Sequence, residues 1–440
     1  MKLKTYFTAL LFTTTSALIA QEVAYEEYDL DNGLHVILHQ DNTAPVVTTS
    51  VMYHVGAKDE DPSKTGFAHF FEHLLFEGTK NIERGEWFKL VSSNGGQNNA
   101  NTTQDRTYYY EVFPSNNLEL GLWLESERLM HPIINQIGVD TQKEVVQEER
   151  RMRYDNSPYS RWQEQIGINL FEKHPYRWQT IGSLEHLASA SLEDFQNFSK
   201  TYYIPNNAVL VVAGDIDITA TKKMIQDYFG PIPKGAEINR THIKEDPITQ
   251  TIKASYNDPN IQIPAIFAGY RTPKNTDRDA YILDMISTYL SDGKSSKLYR
   301  KLVDIEKMAI QVFAFNRTQE DYGTYVVGAL PLGENSLEDL LVSIDEEIEK
   351  LQNSLISEKD YQKIQNKFEN QFVNSNSSIS GIANSLARNY MLFDDTSLIN
   401  TEIEIYRSIT REDIQAAAKK YLNKNQRVEL EYLPEDQTGK

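Results

Sequence analysis

Two histidines and a carboxylate fall within five residues, His69, Glu72 and His73, inside an otherwise apolar run from Gly66 to Phe76. On a helix, side chains four apart share one face, so His69 and His73 point the same way. Neutral imidazoles so arranged suit a divalent transition metal. Glu72 is placed to face the same ion without ligating it. A carboxylate there can take a proton from water whose pKa the metal lowers. With no ion, each of the three groups would need a hydrogen bond of its own, because burying them unpaired is costly. Two core histidines bonded to backbone are the competing reading of this spacing.

A catalytic zinc takes three protein ligands and keeps one position open. The stretch Lys143 to Arg150 offers Glu144, Glu148 and Glu149. Spacing does not choose among them, and a solvated helix face is the plain reading of such a charged run.

These residues need elements to position them. Leu34, Val36 and Leu38 alternate as one face of a strand, and Val46 to Tyr53 is a second, β-branched strand. Asp31-Asn32-Gly33 is a hairpin-type turn between strands. The helix with the two histidines is expected from about Gly66 to Gly78, with further helices over Arg84–Ser92, Leu118–Met130 and Asp140–Arg153. Thr107–Phe113 and Val209–Ala213 are expected strands, and residues 160 to 200 are expected to be largely helical.

The pattern repeats. Glu193, Asp194, Gln196, Lys200, Tyr202, Asn206 and Val209 recur as Glu412, Asp413, Gln415, Lys419, Tyr421, Asn425 and Val428, each 219 positions on. A constant offset through helix, turn and strand points to duplication. The chain is therefore expected to form two related α+β halves, residues 22–235 and 251–440, joined by a polar linker at 236–250. All nine histidines lie at or before His242, so only the first half can carry a histidine metal site.

Composition narrows the function. Lys plus Arg number 44 against 63 Asp plus Glu, a net charge of -19, which argues against nucleic acid and anionic membrane surfaces as main partners. The absence of cysteine excludes disulfides, thiolate zinc sites, cysteine nucleophiles and a lipoprotein anchor. Met1-Lys2-Leu3-Lys4, the apolar and hydroxylic run to Ala20, and Gln21-Glu22 are identified as a signal peptide over residues 1–20. The expected place is a periplasm or the exterior. No later stretch is long enough for a membrane span.

His69-Phe70-Phe71-Glu72-His73-Leu74-Leu75-Phe76-Glu77-Gly78-Thr79 resembles the inverted zincin signature of the pitrilysin family, which includes insulin-degrading enzyme and the mitochondrial processing peptidase. Asn99-Ala100-Asn101-Thr102 with Asp105, Thr107 and Tyr109, then Val145-Val146-Gln147-Glu148-Glu149, then His174-Pro175-Tyr176 with Ile181-Gly182, resemble further segments of that family. The resemblance implies one zinc ion per chain, bound by His69, His73 and Glu149, with Glu72 as general base. It implies that Asn99 and Ala100 belong to an edge strand that pairs with an extended substrate. It implies two homologous halves, each a sheet covered by helices, closing like a clamshell around a chamber, the second half non-catalytic. The implied function is a zinc endopeptidase acting on peptides or unfolded polypeptide segments. A non-catalytic or partner-dependent binding subunit of a heteromeric peptidase is the alternative.

Two departures from the family pattern stand out. Gln142 replaces a Glu that many members carry seven residues before the third ligand. In the second half, after the family-like segment Asp292 to Tyr299, Val303 and Ile310 stand where active single-chain relatives place an Arg and a Tyr, and Arg300 is out of register. A dimer is therefore expected: a heterodimer whose other chain supplies the Arg/Tyr pair, with a homodimer as the competing arrangement. The acidic balance hints at basic substrate sequences.

Overall fold

The computed structural model describes residues 22–435; the expected signal peptide lies outside them. The first half contributes strands β1 (Glu26–Asp29), β2 (His35–Gln40), β3 (Val46–Tyr53), β4 (Gln97–Thr102), β5 (Thr107–Pro114) and β6 (Ala208–Gly214). Its helices are α1 (Phe67–Leu74), α2 (Trp87–Ser93), α3 (Leu118–Met130), α4 (Gln136–Arg150), α5 (Trp162–Leu170), α6 (Leu184–Ser189), α7 (Leu192–Tyr202) and α8 (Ile218–Phe229). The second half contributes β7 (Ile252–Asp258), β8 (Ala265–Thr272), β9 (Ala309–Arg317), β10 (Gly323–Pro331) and β11 (Arg427–Pro434). Its helices are α9 (Arg278–Ser291), α10 (Leu337–Asn353), α11 (Glu358–Ser375), α12 (Ile379–Phe393), α13 (Leu398–Ser408) and α14 (Arg411–Tyr421).

The two sheets run β1-β2-β6-β3-β5-β4 and β7-β11-β8-β10-β9. In each, one parallel pair, β2 with β6 and β7 with β11, sits among antiparallel pairs. The duplicated segment is α7, turn and β6 in the first half, and α14, turn and β11 in the second. Both helices start with the same device, a hydroxyl capping box formed by Ser191 with Asp194 and by Thr410 with Asp413. The repeat is thus structural as well as sequential.

Strand alternation sends Val36 and Leu38 into the core beneath α1, α3 and α7, and Ile37 to the opposite face. That opposite face is covered by the second half: Ile382, Ala383, Leu386 and Ala387 of α12 pack on Ile37, Met52, Val209 and Val211. The exchange is mutual. Ile166 and Leu170 of α5 pack on Phe267, Val326, Val428 and Leu430 of the second sheet. Each half lends a helix to the other's sheet, so neither sheet is covered on both faces by its own sequence half.

Helix boundaries differ from the expectation at two places that matter. The first is α1, which ends at Leu74. The next residues tighten into three-residue turns, Phe76 N–H to His73 O and Glu77 N–H to Leu74 O, and Gly78 takes φ 123°. The second is α4, which starts at Gln136, earlier than periodicity suggested, because the Asn135 side chain accepts from Gly138 N–H and caps it. The expected linker at 236–250 has no regular structure, yet it is pinned down. Arg240 pairs with Asp59 at 2.5 Å, and Glu245 accepts from the Lys173 and His174 amides.

A polar junction ties the halves together. The β9–β10 loop delivers Glu320 and Asp321 to Lys58 at 2.5 and 3.4 Å. Glu320 also meets His54 at 2.9 Å, and Asp321 meets His174 at 3.3 Å. Tyr176 donates to Asp105 and accepts from Asp321 N–H. The His174-Pro175-Tyr176 segment therefore serves the junction rather than the metal site. Burial raises the Glu320 pKa, but its bond to His54 and the Lys58 charge outweigh this and hold it at about 2. The folded carboxyl thus titrates below its unfolded value of 4.5. The stabilisation is present above pH 4.5 and is lost as pH falls through about 2, on the order of 3 kcal/mol. Melting temperature is expected to fall between about pH 4.5 and 2 more steeply in the wild type than in Glu320→Gln. Parallel slopes in the two proteins would remove Glu320 as the cause.

Candidate metal centre

Both ends of α1 are anchored by buried side chains, a carboxyl group at the N-terminus and a guanidinium at the C-terminus. At the N-terminus, Glu60 accepts from Gly66 N–H at 2.9 Å, Ala68 N–H at 2.8 Å and the Trp178 indole at 3.1 Å. At the C-terminus, Arg128 Nη1 donates to the Leu75 carbonyl at 3.2 Å. Phe67, Phe70, Phe71 and Leu74 are buried and fix the helix rotation, turning His69 and His73 away from the core. Gly182, at φ 68°, lets the chain lie against the helix start: a Cβ there would approach the Thr65 carbonyl to 2.2 Å. Arg150 of α4 binds the Gly182 carbonyl, which brings α4 alongside α1.

On that helix pair His69, His73 and Glu149 converge, with one donor atom of each within 4.8 Å of the others. Glu149 Oε2 lies 3.3 Å from His73 Nε2 and 3.7 Å from His69 Nε2. A tetrahedral ion with bonds near 2.1 Å separates its ligands by roughly 3.4 Å, so the donor set and its spacing fit zinc. Glu144 and Glu148 point to solvent, Glu148 pairing with Arg151 at 3.0 Å.

The shifts of His69 and Glu149 suit a ligand role, while at His73 burial is outweighed by the bond and charge of Glu149, which raise its pKa. Burial, with His73 next to it, lowers the His69 pKa to about 4, which keeps that imidazole neutral. Burial would raise Glu149, but the His73 bond and the charges of His69, His73 and Arg153 leave it below the ordinary carboxylate value. Arg153 binds the other Glu149 oxygen at 2.8 Å.

Gln142 has a definite place. Its Nε2 donates to Glu77 Oε1 at 2.5 Å, which leaves Oε1 facing His73 Nδ1 at 3.2 Å. The amide oxygen only accepts, so it fixes the proton on Nδ1 and frees Nε2 toward Glu149. Gln142 thus orients a histidine and needs no charge to do so.

Glu72 is buried and accepts from Thr102 Oγ1. Burial raises its pKa, against the Thr102 bond and the His73 charge, which makes it a stronger base than a surface glutamate. Thr102 ends β4, the last strand of its sheet. The outer edge of β4 pairs with no described strand. Asn99 and Ala100 lie on this strand, and the Ala100 amide donates to the Asn99 side chain at 2.9 Å. His69, Glu72, His73, Glu149, Arg153, Phe88 and residues 98–102 line one cavity of about 410 Å³.

All residues around this cavity come from the first half. Val303 packs against the core of the second half, and Ile310 is exposed on β9. Arg300 is also exposed. Sequence reasoning missed Glu60, Arg128 and Arg153, and it placed Thr102 in a family-like segment without giving it a role. Arg153 lies four residues after Glu149, a helical spacing that signals a pair. Glu60 and Arg128 carry no local signal.

The His-His-Glu cluster thus lies on two helices beside a free sheet edge, within two helix-covered sheets. Residues 35–183 match the family described as Insulinase (Peptidase family M16), and residues 189–368 match Peptidase M16 inactive domain. The chain belongs to the M16 family of zinc peptidases. It is 28% identical to "Zinc protease PqqE" of Helicobacter pylori, over 95% of each chain. It is 23% identical to "Uncharacterized zinc protease YmxG" of Bacillus subtilis, over 90% of this chain and 95% of that one. The crystal structure of a protease from Helicobacter pylori superposes with TM-score 0.89 at 28% identity, covering 94% of this chain and all of that one. Pitrilysin shares the fold at TM-score 0.77 and 16% identity, with 95% of this chain on 46% of that one.

Proposed function

We propose that this chain is a zinc-dependent endopeptidase that hydrolyses peptides or unfolded polypeptide segments. The observation that carries the reading is the convergence of His69, His73 and Glu149 beside a buried Glu72 and an unpaired strand edge. Zinc bound by those three would polarise the scissile carbonyl and acidify water. Glu72 takes the proton of the attacking water, held in position by Thr102, and passes it to the leaving amine. Gln142 holds His73 in the ligating tautomer. The β4 edge, with Asn99 and Ala100, receives the substrate backbone as an added strand, which favours extended chains over folded ones.

The first half (22–235) carries this chemistry and the second (251–440) is non-catalytic. Val303, packed in the second half, and Ile310, exposed on β9, stand where an Arg/Tyr pair is expected, which supports a partner chain supplying that pair. The basic and apolar N-terminus supports export to a periplasm or the exterior. The test is a peptide-library digest read by mass spectrometry, with and without a chelator, beside elemental analysis. Stoichiometric zinc with chelator-sensitive, zinc-restored cleavage is expected. Cleavage that survives full zinc removal overturns the reading, and absence of zinc favours a binding subunit.

A further inference from the structure

The metal cavity does not end at Thr102. Thr102, Tyr154 and Thr180 also line a second cleft of about 410 Å³, which continues between the two halves. Three arginines meet in it. Arg106 comes from the β4–β5 turn, Arg317 from the end of β9 and Arg388 from α12.

Their partners are few. Arg106 donates to the carbonyl and side-chain oxygens of Asn101, and Arg317 reaches only Gln163 at 3.4 Å. Neither has a carboxylate within ion-pair distance among the described residues. Arg388 has Glu402 at 3.2 Å and the Phe393 ring under its guanidinium at 5.4 Å. Burial lowers the Arg106 pKa, outweighing the nearby acids, and Arg388 adds to the depression. The two acids closest to hand are engaged elsewhere: Asp105 with Lys58 and Tyr176, Glu72 with Thr102. In a chain of net charge -19, two guanidinium groups without acid partners in one cleft are a local reversal of sign. Gln104 and Asn275 also line the cleft, and each has a buried oxygen without a partner.

We infer that this arginine-lined cleft is a carboxylate-binding subsite of the peptidase, so that the substrates are peptides bearing an acidic group a few residues from the scissile bond. The inference rests on the function proposed above. An extended peptide paired with the β4 edge runs past His69 and His73 and leaves the strand at Thr102, where the cleft begins. A carboxylate entering the cleft meets guanidinium groups that the protein leaves without acid partners. The acidic group has two possible sources, a C-terminal carboxylate or an Asp or Glu side chain. This local charge runs against the basic preference that overall composition suggested.

The experiment uses zinc-loaded full-length chain and matched peptides of one length. Each carries a free or amidated C-terminus, and Glu or Gln near the cleavage point. The wild type is expected to prefer carboxylate peptides in kcat/KM. Arg317→Gln and Arg106→Gln are each expected to shrink the ratio of carboxylate to neutral peptide by about tenfold, the effect of losing one charge-assisted hydrogen bond. Loss on amidation assigns the terminus, and loss on Glu-to-Gln exchange assigns the side chain; either supports the subsite. Arg317 contributes one long bond to the fold, so its substitution reads binding rather than folding. A wild type that favours neutral or basic peptides, or a ratio unchanged in both variants, overturns the subsite. If no peptide is cleaved, the peptidase reading fails separately. Binding of labelled peptides by fluorescence anisotropy then decides: carboxylate preference lost in Arg317→Gln supports the subsite, and no preference in the wild type overturns it.

Discussion

Glu72→Gln is expected to lower peptide cleavage by about 10²- to 10⁴-fold, the range for a positioned general base, while zinc content stays stoichiometric. The separation follows from geometry. Glu72 is not among the three side chains whose donor atoms converge, so its charge is not needed to hold the ion. Glutamine has the same shape, and its carbonyl oxygen can still accept from Thr102, so the buried site stays filled and bonded. Only proton-accepting capacity is lost. The check is kcat/KM on a peptide cut by the wild type, beside elemental analysis and a thermal melt on the same sample. Cleavage within threefold of wild type removes Glu72 from the mechanism. Loss of zinc together with activity would instead make Glu72 part of the metal's support.

The second large effect lies away from the cavity. Arg128→Leu is expected to destabilise the first half by about 3–5 kcal/mol, the cost of removing one partner from a buried ion pair. Arg128 is fully enclosed, with Glu111 at 3.0 Å and Glu125 at 3.1 Å. The Phe76, Trp87 and Tyr109 rings lie 4.1 to 4.6 Å from its guanidinium. Burial and the neighbouring Glu125 push the Glu111 carboxyl well up. Leucine would leave that pair without a cation and the Leu75 carbonyl without its donor. Since Leu75 closes α1, zinc affinity is expected to fall together with the melting temperature. Denaturant unfolding and zinc titration read the two effects. A change below about 1 kcal/mol would show that the cluster relaxes without its cation.

The amino-acid sequence carried the local chemistry unaided. His69 and His73 at helical spacing, Glu72 between them, and the alternation of Val36 and Leu38 are set by backbone period alone. The 219-residue repeat announced two similar halves, and α7–β6 and α14–β11 bear it out. The resemblance to a family separated Glu149 from Glu144 and Glu148, which periodicity could not do. What makes Glu149 different in the structure is tertiary: α4 lies on α1 because Arg150 binds the Gly182 carbonyl beside the helix start. Likewise no local pattern marks Glu60 and Arg128, whose partners at the two ends of α1 are decided by packing between distant segments. The mutual loan of α5 and α12 is the clearest case. Their apolar faces are visible in the sequence, but which sheet each face meets depends on how the halves dock. The arginine cleft exists only as a product of that docking, since Arg106, Arg317 and Arg388 stand on three elements and become neighbours when α12 crosses onto the first sheet.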